Sequence, residues 1–197
     1  MSLSSSMRFA VLALLLLLMA ATRFSHAGGA GLLPDASWAV FFIGGFYLAR
    51  EWRWALTALL LAATGADFLA IRYYGISNYC ATPAYWFIVP GYSVLWLGGA
   101  WLRRQYRHVP LDLVRLCIGL VISVSVCFLL THTAFYWSSG RIKDPTVAEW
   151  WSVCREWYGF FLAVPSAYVG LATLLHIAMT RRARAVADMH VIQGEGS

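Results

Sequence analysis

The sequence predicts an all-α, polytopic membrane protein with six transmembrane helices. Of its 197 residues, 60% are hydrophobic, 16% are aromatic and only 12% are charged. Soluble domains carry about 25% charged and about 45–50% apolar residues, so a compact soluble fold of this size has too little interior for such an excess. The net charge is +6, but the basic residues lie between uncharged segments rather than in one patch. This composition excludes a soluble globular domain, a nucleic-acid-binding module and a disordered chain.

Six uncharged segments account for the six helices, because a spanning helix needs about 20 mainly apolar residues. Two segments meet this length alone, and three more meet it with a turn of flanking residues. The segment 73–102 begins with turn-forming residues, so only its second half is predicted to be helical. A single membrane domain therefore covers 1–197, with helices at 7–27, 34–50, 53–73, 86–103, 110–136 and 157–180 and a tail at 181–197.

The first segment has two interpretations. We predict that it is retained as the first spanning helix. However, one arginine, an apolar stretch and the sequence Ser25-His26-Ala27 also resemble a secretory signal with a small-residue cleavage site. Cleavage after this segment is therefore the alternative.

Lysine and arginine predict the orientation of the helices. With six spans, one side of the membrane carries ten of these residues and the other side five. The positive-inside rule places the side with ten in the cytoplasm, so both termini face inward and the loops 73–85 and 140–156 face outward. The inner residues are Arg8, Arg50, Arg53, Arg103, Arg104, Arg107, Arg115, Arg181, Arg182 and Arg184, and the outer ones are Arg23, Arg72, Arg141, Lys143 and Arg155.

The four cysteines do not form a CxxC pair, the spacing typical of redox or zinc sites. Cys117 and Cys127 lie inside the fifth predicted helix and are interpreted as small apolar filler. Cys80 and Cys154 lie in the two outward loops, where a disulfide between them is one interpretation. The other is a free Cys80 thiol, in the loop Asn-Tyr-Cys-Ala-Thr-Pro, available as a soft ligand for a transition metal.

Three further residues are candidates for a site on the outward side. Asp67 lies within the third predicted helix, and a carboxylate at membrane depth is costly and marks a functional site by default. Its structural alternative is a pairing with Arg72 or a neighbouring hydroxyl. Arg155 could reach the same outward pocket or could be solvated, and Tyr85 begins the fourth helix, where an aromatic belt is the ordinary explanation.

The segment 73–86 carries a resemblance to a known family. It reads Tyr-Tyr-Gly-Ile-Ser-Asn-Tyr-Cys-Ala-Thr-Pro-Ala-Tyr-Trp after the third helix, and with six short helices in 197 residues it resembles the BtuM family. These are small bacterial proteins related to the substrate-binding S-components of energy-coupling-factor vitamin transporters. The resemblance covers nearly the whole chain. It implies an S-component-like bundle that transports cobalamin (vitamin B12) across the bacterial inner membrane, with the Cys80 loop facing the periplasm.

The resemblance also implies a set of site residues. Cys80 would ligate the cobalt of cobalamin, which is substrate here, and no separate cofactor is expected. Amides line the rim of the corrin and suit carboxylate and amide partners, while aromatic faces suit the ring itself. The predicted substrate-binding residues are Cys80, Asp67, Tyr85, Arg155, Asn78 and Tyr79.

A thiolate on cobalt has a chemical consequence. Cobalamin would bind base-off, with Cys80 as its lower axial ligand. Because electron donation from the thiolate weakens the opposite axial bond, we hypothesise that bound cyanocobalamin loses its cyanide and that a reducing thiol completes the turnover. Cys80 would then be catalytic as well as ligating.

The first helix departs from the pattern of S-components that dock onto a shared energising module. Those proteins usually show an Ala-xxx-Ala pattern there, whereas this helix is filled with leucine and has no such pair. No nucleotide-binding sequence is present either. We therefore expect solitary transport by facilitated diffusion, with cobalamin and the lipid bilayer as the partners.

Three other functions remain open from the residues. A membrane thiol–disulfide oxidoreductase would use Cys80 and Cys154. A haem-binding electron-transfer protein would use His26 and His132, which both lie near the outer side. A structural subunit would bind no ligand and would tolerate the loss of Asp67 and Cys80.

Overall fold

The computed structural model describes residues 4–27, 33–73 and 82–195, and every regular element within these ranges is helical. The predicted all-α class is therefore confirmed. Two short 3-10 helices, Ala49–Glu51 and Pro83–Phe87, precede the third and fourth α-helices. The α-helices are α1 Ser5–Ala27, α2 Ser37–Leu48, α3 Trp52–Tyr73, α4 Ile88–Gln105, α5 Leu111–Ser138 and α6 Val147–Glu195.

Four helical segments are long and apolar enough to cross a membrane. The second of them joins α2 and α3 through the 3-10 turn. This confirms a helical chain with the character of a membrane-embedded protein, while the count of six spans and the inward orientation of the termini stay predictions. The four segments are Ser5–Arg23, Ser37–Tyr73, Leu111–Ser138 and Val147–Arg182.

The helix α6 differs most from its predicted bounds. It begins at Val147 rather than at 157, and it continues through the predicted tail to Glu195. Charged residues flank the apolar segment on both sides, and the prediction ended the helix at them. The helix nevertheless continues, because arginine, glutamate and alanine are good helix formers. At the start, the Thr146 hydroxyl accepts a hydrogen bond from the Glu149 amide at 3.3 Å, as a helix cap does.

Contacts at the two ends of the bundle give the helix directions. Arg23, near the end of α1, contacts both Ser37 at the start of α2 and Asp67 near the end of α3, so α2 and α3 form an antiparallel hairpin. At the opposite end, His176 of α6 bonds to Tyr47 near the end of α2. We call these the Arg23 end and the His176 end of the bundle.

The helix α2 lies at the centre of the bundle. It packs against α1, α3, α4 and α6, and nearly all of its side chains are buried. Its approach to α4 is close enough to require glycine on both helices. A Cβ on Gly45 would lie 2.0 Å from the Trp96 carbonyl oxygen, and a Cβ on Gly99 would lie 1.9 Å from the Phe42 carbonyl oxygen. Backbones can approach this closely only where side chains are missing.

Candidate functional site

An ion pair between α1 and α3 forms the centre of a polar cluster inside the bundle. Arg23 donates two hydrogen bonds to Asp67, from Nε to Oδ1 at 2.5 Å and from Nη2 to Oδ2 at 2.6 Å. The Arg23 side chain is 13% exposed and the Asp67 side chain is 25% exposed. A bidentate contact of this kind adds geometric specificity to the charge interaction, so the pair fixes the end of α1 against the last turns of α3.

Tyr85 also bonds to the Asp67 carboxylate. Its hydroxyl donates a hydrogen bond to Asp67 Oδ2 at 2.7 Å. Burial, together with this bond to an anion, raises the pKa of the Tyr85 phenol, so the phenol stays protonated and remains a donor. The 3-10 helix that carries Tyr85 begins with Pro83, whose fixed φ suits the first position of a helix, and the Tyr85 amide donates to the Thr82 carbonyl at 2.9 Å.

Further polar groups surround the Arg23 guanidinium. Its Nη1 donates to Ser37 Oγ at 2.6 Å and to the Tyr92 hydroxyl at 3.2 Å. Asp35 Oδ2 lies 3.6 Å from the same nitrogen, and Asp35 Oδ1 accepts hydrogen bonds from the Ser37 amide and hydroxyl. We call this set the Arg23 cluster; its members are Arg23, Asp35, Ser37, Asp67, Tyr85 and Tyr92.

The Arg23 cluster contains one arginine and two aspartates, so a negative charge is left over. Asp35 is the more accessible carboxylate, with a side chain 34% exposed, while Asp67 lies deeper. The cluster can therefore accept hydrogen bonds from a ligand that presents amide or hydroxyl donors. Among the described residues, no group of three or more His, Cys, Asp or Glu side chains is placed to hold a metal ion by itself.

The structure brings together two of the predicted site residues, Asp67 and Tyr85. It places Arg155 apart from them, exposed on α6, where it forms no hydrogen bond or ion pair with a described residue. The segment 140–156 was expected to be an outward loop, but its second half belongs to α6. Asn78, Tyr79 and Cys80 lie outside the described residues.

The partner of Asp67 is Arg23 and not Arg72, which the sequence offered as a structural alternative. The Arg72 guanidinium instead lies 6.0 Å from the centre of the Tyr73 ring. Sequence reasoning missed Arg23 because it used this residue, near the end of the first predicted helix, only as one of the outer charges that set the orientation. The sequence does indicate that an arginine at the border of an apolar segment needs a partner, as the Asp67 carboxylate does, but it does not indicate which partner.

One buried polar atom next to the Cys80 segment has no hydrogen-bond partner among the described residues. Thr82 follows Cys80 by two residues, and its Oγ1 is buried without a hydrogen bond. An unpaired buried hydroxyl costs free energy, so this atom is available to a ligand that reaches it. The His132 ring on α5 is packed between two aromatic rings, stacking on Phe128 at 3.9 Å and meeting Phe161 edge-on at 4.7 Å.

Three cysteines lie in the described part of the chain, and all three are free thiols. Cys127 is fully buried, as expected of apolar filler, whereas Cys117 is exposed on α5. Cys154 was predicted in an outward loop but lies within α6, where it is only 4% exposed. Burial makes this thiol a poor partner for exchange chemistry, which requires an accessible thiolate.

Comparison with models of protein families and with curated proteins finds no match to this chain. The resemblance to the BtuM family therefore remains a prediction from the residues of the segment 73–86 and from the helix count.

Proposed function

We propose that this protein binds cobalamin at the Arg23 end of the bundle and mediates its uptake across the bacterial inner membrane. Cys80 would supply the lower axial ligand to cobalt in a base-off complex. The proposal combines the resemblance of the segment 73–86 with the polar groups that surround the two ends of that segment.

The observation that supports this proposal best is the hydrogen bond between Tyr85 and Asp67. Asp67 precedes the Cys80 segment in sequence and Tyr85 follows it, and their side chains meet at 2.7 Å. The bidentate bond to Arg23 holds Asp67 in turn. A ligating residue works best when neighbouring groups fix the elements that carry it, and here both elements that flank Cys80 are held by one carboxylate.

The remaining hydrogen-bonding capacity of the site suits the rim of a corrin. A carboxylate oxygen can accept two hydrogen bonds, and Asp67 Oδ1 accepts one from Arg23 Nε. Thr82 Oγ1 adds a buried hydroxyl with no hydrogen-bond partner in the described part of the chain. Peripheral amides of cobalamin supply both donors and acceptors, so they can satisfy both groups at once.

The absorption spectrum of bound cobalamin tests the proposal directly. The full chain is purified in detergent with hydroxocobalamin, alongside Cys80→Ser and the matched control Cys117→Ser, whose thiol is exposed on α5. We expect a co-purifying corrin with a base-off spectrum in the wild type and in the control, and a changed spectrum or no corrin in Cys80→Ser. A colourless wild type, or an unchanged Cys80→Ser spectrum, would contradict the proposal.

A second measurement tests the catalytic role of Cys80. Cyanide would leave bound cyanocobalamin with the electron pair of its bond to cobalt, so the metal stays trivalent in this step. Two molecules of an external thiol would then each give one electron to a cobalt centre, release their protons to water and join as one disulfide. We expect Cys80→Ala to release no cyanide above the protein-free rate; release at the wild-type rate would overturn this role.

The thiol–disulfide alternative predicts a different result. It requires Cys80 and Cys154 to pair in the resting protein, and non-reducing peptide mapping would detect that bond. A Cys80–Cys154 disulfide in a colourless protein would favour the oxidoreductase over the transporter.

A further inference from the structure

A cavity of about 340 Å³ lies at the His176 end, between α2, α5 and α6. Its wall is mainly apolar and includes Phe42, Leu116 and Val169. Pockets that bind small ligands measure roughly 300–1,000 Å³ and are lined mostly by apolar side chains. The cavity is separate from the Arg23 cluster, because the two lie at opposite ends of α2.

The length of the cavity suits a single lipid chain. One face of α6 lines it from Val169 to Arg181, a stretch about 18 Å long at the rise of an α-helix. One leaflet of the hydrocarbon core is about 15 Å thick, half of the whole core. An acyl chain aligned with α6 would therefore run along the whole of this wall.

Apolar side chains with exposed surface form part of the cavity wall. Val109 and Leu113 line it and are 43% and 49% exposed. In a chain embedded in a bilayer, apolar side chains exposed on the outside of the bundle face lipid. A lipid tail could therefore enter from the side, without crossing water.

The His176 side chain in the wall is already satisfied. His176 bonds through Nδ1 to the Tyr47 hydroxyl at 2.8 Å and through Nε2 to the Tyr106 hydroxyl at 2.9 Å. Because both ring nitrogens are engaged, His176 is not available as a ligand to a metal. This part of the wall offers aromatic surface to a ligand rather than a binding charge.

Positive charge stands at one end of the cavity. Arg181 lines it, and Arg181 and Arg182 are exposed and form no ion pair with a described residue. The carboxylate in the lining, Asp112, is compensated, since it accepts hydrogen bonds from Arg115 at 2.9 Å and from the amides of Arg107 and Val109. The site therefore combines an apolar cavity with the Arg181 guanidinium, which has no counter-ion among the described residues.

We propose that this cavity binds an anionic phospholipid, with one acyl chain in the chamber and the phosphate on Arg181. The apolar length supplies the affinity for the tail, and Arg181 supplies the preference for a negative headgroup. This site is independent of cobalamin binding and stands whether or not the chain transports that ligand.

Native mass spectrometry of the full chain in detergent tests the lipid site. The protein is titrated with phosphatidylglycerol and with phosphatidylcholine of the same acyl chains. We expect tighter binding of phosphatidylglycerol, and about a fivefold loss of that affinity in Arg181→Gln, the effect of one basic residue near an anionic lipid. The matched control is Arg104→Gln, which removes an exposed arginine at the same end that does not line the cavity.

A second pair of variants tests the chamber. Ala172→Phe fills the cavity, whereas Ala178→Phe places the same ring on the exposed face of the same helix. We expect Ala172→Phe to lose the bound lipid and Ala178→Phe to keep it. If Ala172→Phe does not fold, phosphatidylglycerol with a photoreactive acyl chain replaces it, and the expected crosslinks fall between Val169 and Ile177.

Three results would overturn the proposal. One is equal affinity for the two lipids, which removes the preference for a negatively charged headgroup. Another is unchanged lipid binding in Ala172→Phe, or acyl crosslinks that all fall outside the cavity wall. The third is displacement of the lipid by inorganic phosphate alone with no effect of Ala172→Phe, which would assign Arg181 to free phosphate instead.

Discussion

Arg23 of α1 and Asp67 of α3 form a bidentate ion pair, with donor–acceptor distances of 2.5 and 2.6 Å. The two residues are separated by 44 positions in the chain, and their pairing joins the first and third helices at the end of the bundle where the Cys80 segment begins. The pairing lowers the free-energy cost of burying both residues, because each charge without a partner would be unfavourable at membrane depth.

The pair is expected to stabilise the fold against removal of either partner. Asp67→Asn leaves the Arg23 guanidinium with only Asp35, 3.6 Å from its Nη1, as a counter-ion. We expect it to lower the free energy of unfolding by about 2 kcal/mol, less than for a fully buried pair because Asp67 is partly exposed. Denaturant unfolding in micelles measures this. Glu156→Gln, an exposed carboxylate on α6, is the control, and an equal loss in both variants would argue against a specific role for the pair.

A double variant separates the charge from the contact. Replacing both partners, as in Arg23→Met with Asp67→Leu, removes the ion pair and leaves only Asp35 without the arginine, a carboxylate that is 34% exposed and in contact with solvent. We expect it to be more stable than Asp67→Asn alone. If the double variant loses as much unfolding free energy as the two single variants lose together, the two residues act independently.

Tyr85 is expected to position Asp67 through its hydroxyl. Tyr85→Phe keeps the ring but removes the hydrogen bond to a carboxylate, a loss of about 1.5 kcal/mol in unfolding free energy. Tyr73→Phe removes a hydroxyl from a ring that is 72% exposed, and no change is expected there. Equal stability of the two variants, measured side by side, would mean that the Tyr85–Asp67 bond contributes nothing to stability.

The contact between α2 and α4 is expected to tolerate no side chain at Gly45. Gly45→Ala places a methyl group against the Trp96 carbonyl and should cost about 3 kcal/mol or more, because backbone cannot move aside as a side chain can. Gly170→Ala is the matched substitution on α6, where nothing lies within 4 Å of the new Cβ. That variant should gain about 0.5–1 kcal/mol from helix propensity. Thermal unfolding of the two proteins should therefore shift in opposite directions.

His176 is expected to join α2, α4 and α6 at the other end of the bundle. His176→Phe removes the bonds to Tyr47 and Tyr106 and should lower stability by about 2 kcal/mol. Met179→Phe introduces the same ring at a side chain that is 69% exposed on the same helix and serves as the control. Unchanged unfolding of His176→Phe would show that the two tyrosines find other partners at no cost.

If the chain transports cobalamin alone, uptake should not need a nucleotide. Vesicles that contain the purified protein should fill with cobalamin until the inside and outside concentrations are equal, with no added ATP. Asp67→Asn should slow this uptake, and Glu156→Gln should not. Accumulation above the outside concentration would instead reveal an energy source that the sequence does not display.

The sequence was sufficient for the helical class and for most helix positions, because the cost of exposing backbone polar groups to lipid leaves few alternatives to helices. The prediction of 53–73 for the third helix, for example, agrees closely with Trp52–Tyr73. It failed for α6, where Glu149, Arg155 and Glu156 end the apolar segment but not the helix. Hydropathy indicates which residues can contact lipid, but it does not set the end of a helix. A helix continues past the apolar segment wherever the next residues have a high helix propensity.

Part of the candidate site could also be predicted from the sequence, and part of it could not. Asp67 could be singled out from the sequence alone, because the cost of a carboxylate at membrane depth depends only on its place in an apolar segment. Its partner could not, since nearby Arg72 and distant Arg23 are equally basic and only the packing of α1 against α3 decides between them. The lipid-sized cavity at the His176 end is likewise a product of packing, formed by side chains from helices far apart in the chain. The composition and the apolar segments of the sequence thus determined the membrane character of the chain and its helices. Only the tertiary structure decided which charged residues pair and where a cavity remains between the helices.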